Sequence, residues 1–218
     1  LKQAEDFLAQ SLALSPDDAS TLKFKAKLAN VNKQPEQALS LYNQLIEKNQ
    51  NDFSLYLERA TTLLILKKDK QAKDDIQKVL TKIPHHPQAN LLMAQLLIQE
   101  KDFTGAIESA QKVINVVKNN PPALFILGTA NFALKHYHQA DSFLTTYTSS
   151  NPNDLRAQSL LASVYLAQQK PQQALLILEG IPAEKRDTNP LVLLTLADSY
   201  NQIKQPEKAM VALSKAKT

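Results

Sequence analysis

Cysteine and tryptophan are absent from all 218 residues, and glycine occurs only three times. Without cysteine there are no disulfides, thiolate nucleophiles or Cys-ligated metals; either cytosol or periplasm is compatible with that. Glycine supplies the tight turns of β-hairpins and of phosphate-cradling loops, so its scarcity argues against both. Arginine is scarce too, with Arg59, Arg156 and Arg186 far apart. A nucleic-acid binder concentrates its basic residues, whereas here 25 basic and 21 acidic residues are mixed along the chain, for a formal charge of +4. Nucleic acid is therefore not an expected partner. No apolar run approaches the roughly 20 residues needed to cross a bilayer. The longest candidate, Leu91 to Ile98, is interrupted by Gln95. There is no initiator Met or signal-like start, and Leu1 reads as mid-helix, which suggests a piece of a longer protein. What the chain has in abundance is Leu, Ala, Gln and Lys, all good helix formers, so an all-α fold is expected.

An internal repeat organises those helices. Ala4, Ala38, Ala72, Ala106, Ala140 and Ala174 are 34 residues apart, and Ala209 follows after 35. A second series, Ala26, Ala60, Ala94, Gly128, Ala162 and Ala197, has the same period and the same single step of 35. Facing helices approach closely only where side chains are small. Around Ala162, the residues Leu160, Leu161, Val164 and Tyr165 fall on one helical stripe. Asp18, Asp52, His86, Asn120, Asp154 and Asn189 stand just before each first helix, and all but His86 are good N-caps. Pro87, Pro121 and Pro190 follow in the first helical position, where proline is tolerated. Pro35, Pro171 and Pro206 mark the turn between the two helices of a pair.

These features resemble the tetratricopeptide repeat (TPR) family. Tyr56, Ala60, Ala72 and Pro84 carry its pattern in one repeat; Leu127, Gly128, Ala140 and Pro152 in another; Leu161, Ala162, Tyr165 and Ala174 in a third. The family's tryptophan is missing throughout. The resemblance implies a right-handed α-α superhelix covering 1–218 as one array. Residues 1–16 are expected to be a lone second helix, followed by six pairs at 19–52, 53–86, 87–120, 121–154, 155–189 and 190–218. Residues 58–180 further resemble the TPR lipoproteins of the bacterial PEP-CTERM/exosortase system, associated with exopolysaccharide genes. PHHPQANLLMAQLL and PPALFILGTANFALKHYHQA are among the stretches that carry it. That likeness implies a periplasmic protein, lipid-anchored in its full-length form; otherwise a cytoplasmic one is expected.

In such an array the first helices line the concave wall. Three residues before each small residue stand Lys23, Leu57, Leu91, Phe125, Ser159 and Leu194; one residue after it stand Lys27, Thr61, Gln95, Thr129, Ser163 and Asp198. Each pair is one helical turn apart on one face. The apolar members are expected to contact a partner and the hydroxyls and amides to hydrogen-bond it, as in extended-peptide recognition. The alternative is plain packing between neighbouring first helices. Lys23 and Lys27 begin a carboxylate clamp, but Leu57 and Thr61, then Gln88 and Leu92, do not continue it, so an apolar to neutral partner is expected. Lys33, Lys67, Lys101, Lys135 and Lys204 recur at the end of the first helix, with Gln169 in the fifth pair. They complement the helix dipole by about 0.3–1 kcal/mol each, or form a basic edge for an anionic surface.

No catalytic constellation, cofactor or metal is expected. His85 and His86 lie in one turn, and His136 and His138 in another, with no carboxylate recurring beside them. The adjacent Asp74 and Asp75 point about 100° apart on a helix and are not a paired-acid site. The segment from Gly180 to Asn189 takes up the extra residue of the 35-step, as a hinge or as a tolerated insertion. The function expected is a non-catalytic scaffold for a protein or peptide ligand. The alternatives are a self-association module working through its open N-terminal end, and an accessory arm of a larger enzyme or secretion complex.

Overall fold

The computed structural model describes residues 18–217, and every regular element among them is a helix. The lone helix expected over 1–16, and any self-association through it, lie outside the described residues. Six first helices of 13 residues each begin at the expected points: α1 (Ala19–Val31), α3 (Phe53–Ile65), α5 (Pro87–Gln99), α7 (Pro121–Ala133), α9 (Leu155–Ala167) and α12 (Pro190–Gln202). The second helices are α2 (Pro35–Lys48), α4 (Asp69–Lys82), α6 (Phe103–Val116), α8 (Tyr137–Ser150), α10 (Pro171–Glu179) and α13 (Pro206–Ala216). A four-residue helix, α11 (Ala183–Arg186), follows α10. The chain divides into two compact units, 1–96 and 97–218, with the division falling inside α5.

The starts of the first helices are explained by their caps. Asp18, Asp52, Asn120, Asp154 and Asn189 each accept a backbone N–H of the first turn through a side-chain oxygen, at 2.8–3.1 Å. His86, the expected exception, also caps: its Nδ1 accepts the Ala89 N–H at 3.3 Å. Pro35, Pro171 and Pro206 are not in the turns but form the first residue of α2, α10 and α13, where the missing N–H removes nothing.

The ends carry a feature that the period alone did not explain. Lys33, Lys67, Lys101, Lys135, Gln169 and Lys204 all have left-handed backbones, with φ between 55° and 63°. Each is the second residue past its helix, and the residue after it donates its N–H five residues back. Gln34 bonds the Ala29 carbonyl at 2.8 Å, and His136 bonds that of Asn131 at 2.8 Å. The left-handed residue itself bonds three back, as Lys33 does to Asn30 at 3.1 Å. This is a Schellman ending, which closes the helix's last carbonyls and favours glycine because a Cβ is strained there.

In unit 1, α1 packs on α2, α2 on α3 and α3 on α4, so the first helix α3 lies between two second helices. The small residues Ala26, Ala38, Ala60 and Ala72 are fully buried, as are Tyr42 and Ile76. In unit 2 the same alternation runs from α6 to α10, and α12 then packs against α9, α10 and α13. Its core contains Gly128, Ala140, Leu144, Ala162, Val164, Ala174, Leu178 and Val192. A Cβ at Gly128 would lie 2.5 Å from Leu144 Cγ, so glycine there makes room for that leucine.

The missing tryptophan has a structural counterpart. In the family pattern tryptophan stands four residues before the small residue. Tyr56, Asn90 and Gln158 occupy that place, and each donates to the carbonyl six residues back, in the turn before its helix: Gln50 at 3.2 Å, Pro84 at 2.9 Å and Pro152 at 3.1 Å. In these three repeats a hydrogen bond ties the helix to the turn before it, and Leu22, Leu124 and Leu193 stand at the same place in the other three.

The 180–189 segment is anchored along its length. α10 has only 9 residues where α2, α4, α6 and α8 have 14, and α11 fills the space it leaves. Ile181 is buried, Lys185 donates to Asn153 Oδ1 at 3.2 Å, and Asp187 accepts from Lys215 and Arg186. Lys215 first, and Arg186 with it, hold the Asp187 carboxyl below its ordinary range.

Candidate functional site

The face of each first helix that turns away from its partner helix is set by residues four apart. In unit 1, Lys23 and Lys27 lie on α1, Leu57 and Thr61 on α3, and Leu91 and Gln95 on α5. The two lysines are drawn toward α3: Lys23 Nζ donates to Ser54 Oγ at 2.6 Å, and Lys27 pairs with Glu58 at 2.7 Å. They brace one first helix against the next. Leu57 is buried at 4% exposure, so its expected contact with a partner gives way to packing. Leu91 is half-buried and Gln95 exposed.

The series continues one turn further, to residues that the sequence reading left out. Val31 and Ile65 stand four residues after Lys27 and Thr61, and they are 64% and 55% exposed. The signal was present in the same 34-residue register, extended by one turn to two large aliphatic residues.

In unit 2, Phe125 and Thr129 lie on α7, Ser159 and Ser163 on α9, and Leu194 and Asp198 on α12. Ser159 is buried at 1% exposure, and its contact with a partner is likewise corrected to packing. Leu194 and Asp198 are exposed, and Leu191, one turn before Leu194, joins them. Phe125 is half-buried against Tyr147 of α8, with ring centroids 5.3 Å apart. Tyr147 is itself held by Asp154, whose Oδ2 accepts its hydroxyl at 2.8 Å. Burial, then that hydrogen bond, raises the Tyr147 pKa above the ordinary phenol value. The Arg156 guanidinium lies 4.4 Å over the Phe125 ring.

The expected hydroxyl donors behave differently. Thr61, Thr129 and Ser163 each give their proton to the carbonyl four residues back, those of Leu57, Phe125 and Ser159, at 2.8–2.9 Å. What they offer outward is an acceptor lone pair.

The repeating lysines Lys33, Lys67, Lys101, Lys135 and Lys204 are exposed, and their common feature is the left-handed helix ending. His86 is engaged as a helix cap in unit 1, and His136 and His138 lie at the start of α8 in unit 2. Among the described residues no group of three or more His, Asp or Glu side chains is arranged to hold a metal ion. None of the described helices is long and apolar enough to cross a membrane.

Clefts also occur between successive second helices. One in unit 1, of about 480 Å³, is lined by Leu39, Asn43, Arg59, Lys68 and Asp75 among others. Inside it Arg59 makes a two-pronged pair with Asp75, at 2.7 and 2.8 Å, and donates to Asn43 Oδ1 at 2.8 Å. Arg59 stands where the family pattern has leucine, and where unit 2 has Leu127, Leu161 and Leu196. One in unit 2, of about 510 Å³, has Leu193, Leu196 and Val211 in its lining, with Arg186, Asp187 and Lys215 also lining it.

Comparison with known proteins agrees with this architecture. The tetratricopeptide repeat family model matches residues 97–164 and 132–192. BBSome complex member BBS4 of Bos taurus is 24% identical over 144 residues, 66% of this chain and 28% of that protein. The chain thus spans less than a third of that relative. Among solved structures, the APC/C hetero-tetramer Cut9–Hcn1 superimposes on 98% of this chain and 42% of that one, with a TM-score of 0.77 at 14% identity. YrrB, a TPR protein with an unusual peptide-binding site, covers 95% of this chain and 97% of its own, with a TM-score of 0.66 at 16% identity. Family model and solved structures together support the tetratricopeptide repeat family for this chain and show that it has the fold of that family.

Proposed function

We propose that the chain is a non-catalytic scaffold that binds an extended peptide or protein segment on the outward faces of its first helices. One observation carries this reading: each unit leaves large apolar side chains solvent-accessible on those faces. In unit 1 these are Val31, Ile65 and the half-buried Leu91; in unit 2 they are Phe125, Leu191 and Leu194. Exposed polar neighbours, Gln95 in unit 1 and Asp198 in unit 2, frame them. Apolar pockets with polar groups between them suit an extended backbone. The likeness to YrrB supports the same class of ligand. The resemblance of residues 58–180 to the PEP-CTERM lipoproteins supports a bacterial envelope system as the setting.

Peptides selected from a displayed random library on the wild-type protein test the reading. The Ile65→Glu/Phe125→Glu variant, its helicity checked by circular dichroism, is expected to bind the selected peptides about tenfold or more weakly, the scale of one apolar anchor. Unchanged affinity, or loss only with Val211→Glu in the cleft between second helices, would place binding elsewhere.

A further inference from the structure

We infer that Arg156, stacked on Phe125, is the anchor for a carboxylate side chain of the bound segment, with an apolar residue of that segment seated beside it. The inference rests on the first-helix reading above and adds the chemical class of the ligand.

The chain has three arginines, and two of them are spent inside the fold. Arg59 is paired with Asp75 and Arg186 with Asp187. Arg156 is exposed, and among the described residues its side chain makes no hydrogen bond or ion pair; its contact is the Phe125 ring. Stacking of this kind fixes the guanidinium while leaving the donors in its plane unused, ready for a two-pronged carboxylate.

The acid beside it in the sequence is already engaged. Asp154, two residues earlier, accepts the Ala157 N–H through Oδ1 and the Tyr147 hydroxyl through Oδ2. Those bonds also fix the platform, since Tyr147 backs Phe125. Arg156 furthermore sits in the first turn of α9, where the helix dipole disfavours a cation. Neither local helix stability nor an internal ion pair accounts for a charge in this place, whereas recognition does. A single guanidinium balances a single negative charge. Of the face residues named on the first helices of unit 2, the charged one is Asp198, an anion that disfavours a doubly charged phosphate.

The test uses the library-selected peptides. Those bound by the wild-type protein are expected to carry Asp or Glu next to an apolar residue. Exchanging that acid for its amide should weaken binding about tenfold. Arg156→Gln should weaken the acidic peptide by a similar factor and leave the amide form unaffected, and Arg156→Lys should restore only part of the loss. Equal binding of acid and amide forms by the wild type, or an equal loss of both in Arg156→Gln, overturns the carboxylate assignment. If Phe125→Glu abolishes binding while Arg156→Gln does nothing, only this inference falls. If neither variant matters, or if no peptide is selected, the first-helix reading falls with it.

Discussion

Each unit places an arginine over an aromatic ring, and the two arginines end in opposite circumstances. In unit 1 the Arg59 guanidinium lies 5.5 Å from the Tyr56 ring centroid, and its donors are taken by Asp75 and Asn43. The Asp75 side chain is only 8% exposed, so the pair is largely removed from water. In unit 2 Arg156 lies over Phe125, in the open, and among the described residues it makes no ion pair. What separates an internal tie from a recognition group here is the presence of a neighbouring acid, not the residue type or the ring.

The largest effect expected from breaking this symmetry is at Arg59. Replacing it by leucine, the unit 2 solution, strands a buried carboxylate and should cost about 3 kcal/mol in chemical unfolding. Arg59→Leu with Asp75→Leu should recover most of that, because no unpaired charge is left. Arg156→Leu, by contrast, should change stability by no more than about 0.5 kcal/mol, as at other exposed sites. A large loss there would show that Arg156 holds the fold together.

An intermediate effect is expected at Asp154. Its replacement by alanine removes a helix cap and the Tyr147 bond, and should cost about 1–2 kcal/mol. Near-ultraviolet dichroism should report loosening of the Phe125–Tyr147 contact. An unchanged aromatic signal would mean that Phe125 is held without Asp154.

The smallest effect should be the same in both units. Lys67→Gly in unit 1 and Lys135→Gly in unit 2 relieve left-handed strain but add freedom to the unfolded chain. A net gain of about 0.5 kcal/mol each is expected from thermal unfolding. Unequal changes would show that the helix endings are not the purely local devices they resemble.

Much of the fold could be read from the sequence because its signals are local. Period, small residues, prolines and caps act within a helix or its flanking turn, so six helix starts and the packing alanines were legible. The candidate site was legible only as a face. Leu57 and Leu194 hold the same repeat position, yet one is buried and the other 47% exposed. That difference depends on which neighbouring helices cover each one, and no residue pattern within a single helix encodes it. Thr61, Thr129 and Ser163 looked like outward donors, yet a hydroxyl on a helix finds the carbonyl four residues back at no cost in chain entropy. His86 looked like a failed cap, because cap preferences rank side-chain oxygens and a ring nitrogen is the rarer solution.

Residue order alone therefore settled that the chain would form helix pairs of fixed length, since hydrogen bonds within a turn and the spacing of small residues are written locally. The fate of each charge was settled by packing. Arg59 meets its aspartate 16 residues away on the partner helix, and Lys23 meets Ser54 31 residues away on the next first helix. Arg156 rests on a ring 31 residues earlier and makes no ion pair among the described residues. Contacts at that separation exist only once the helices are stacked, because stacking alone determines which side chains share a surface.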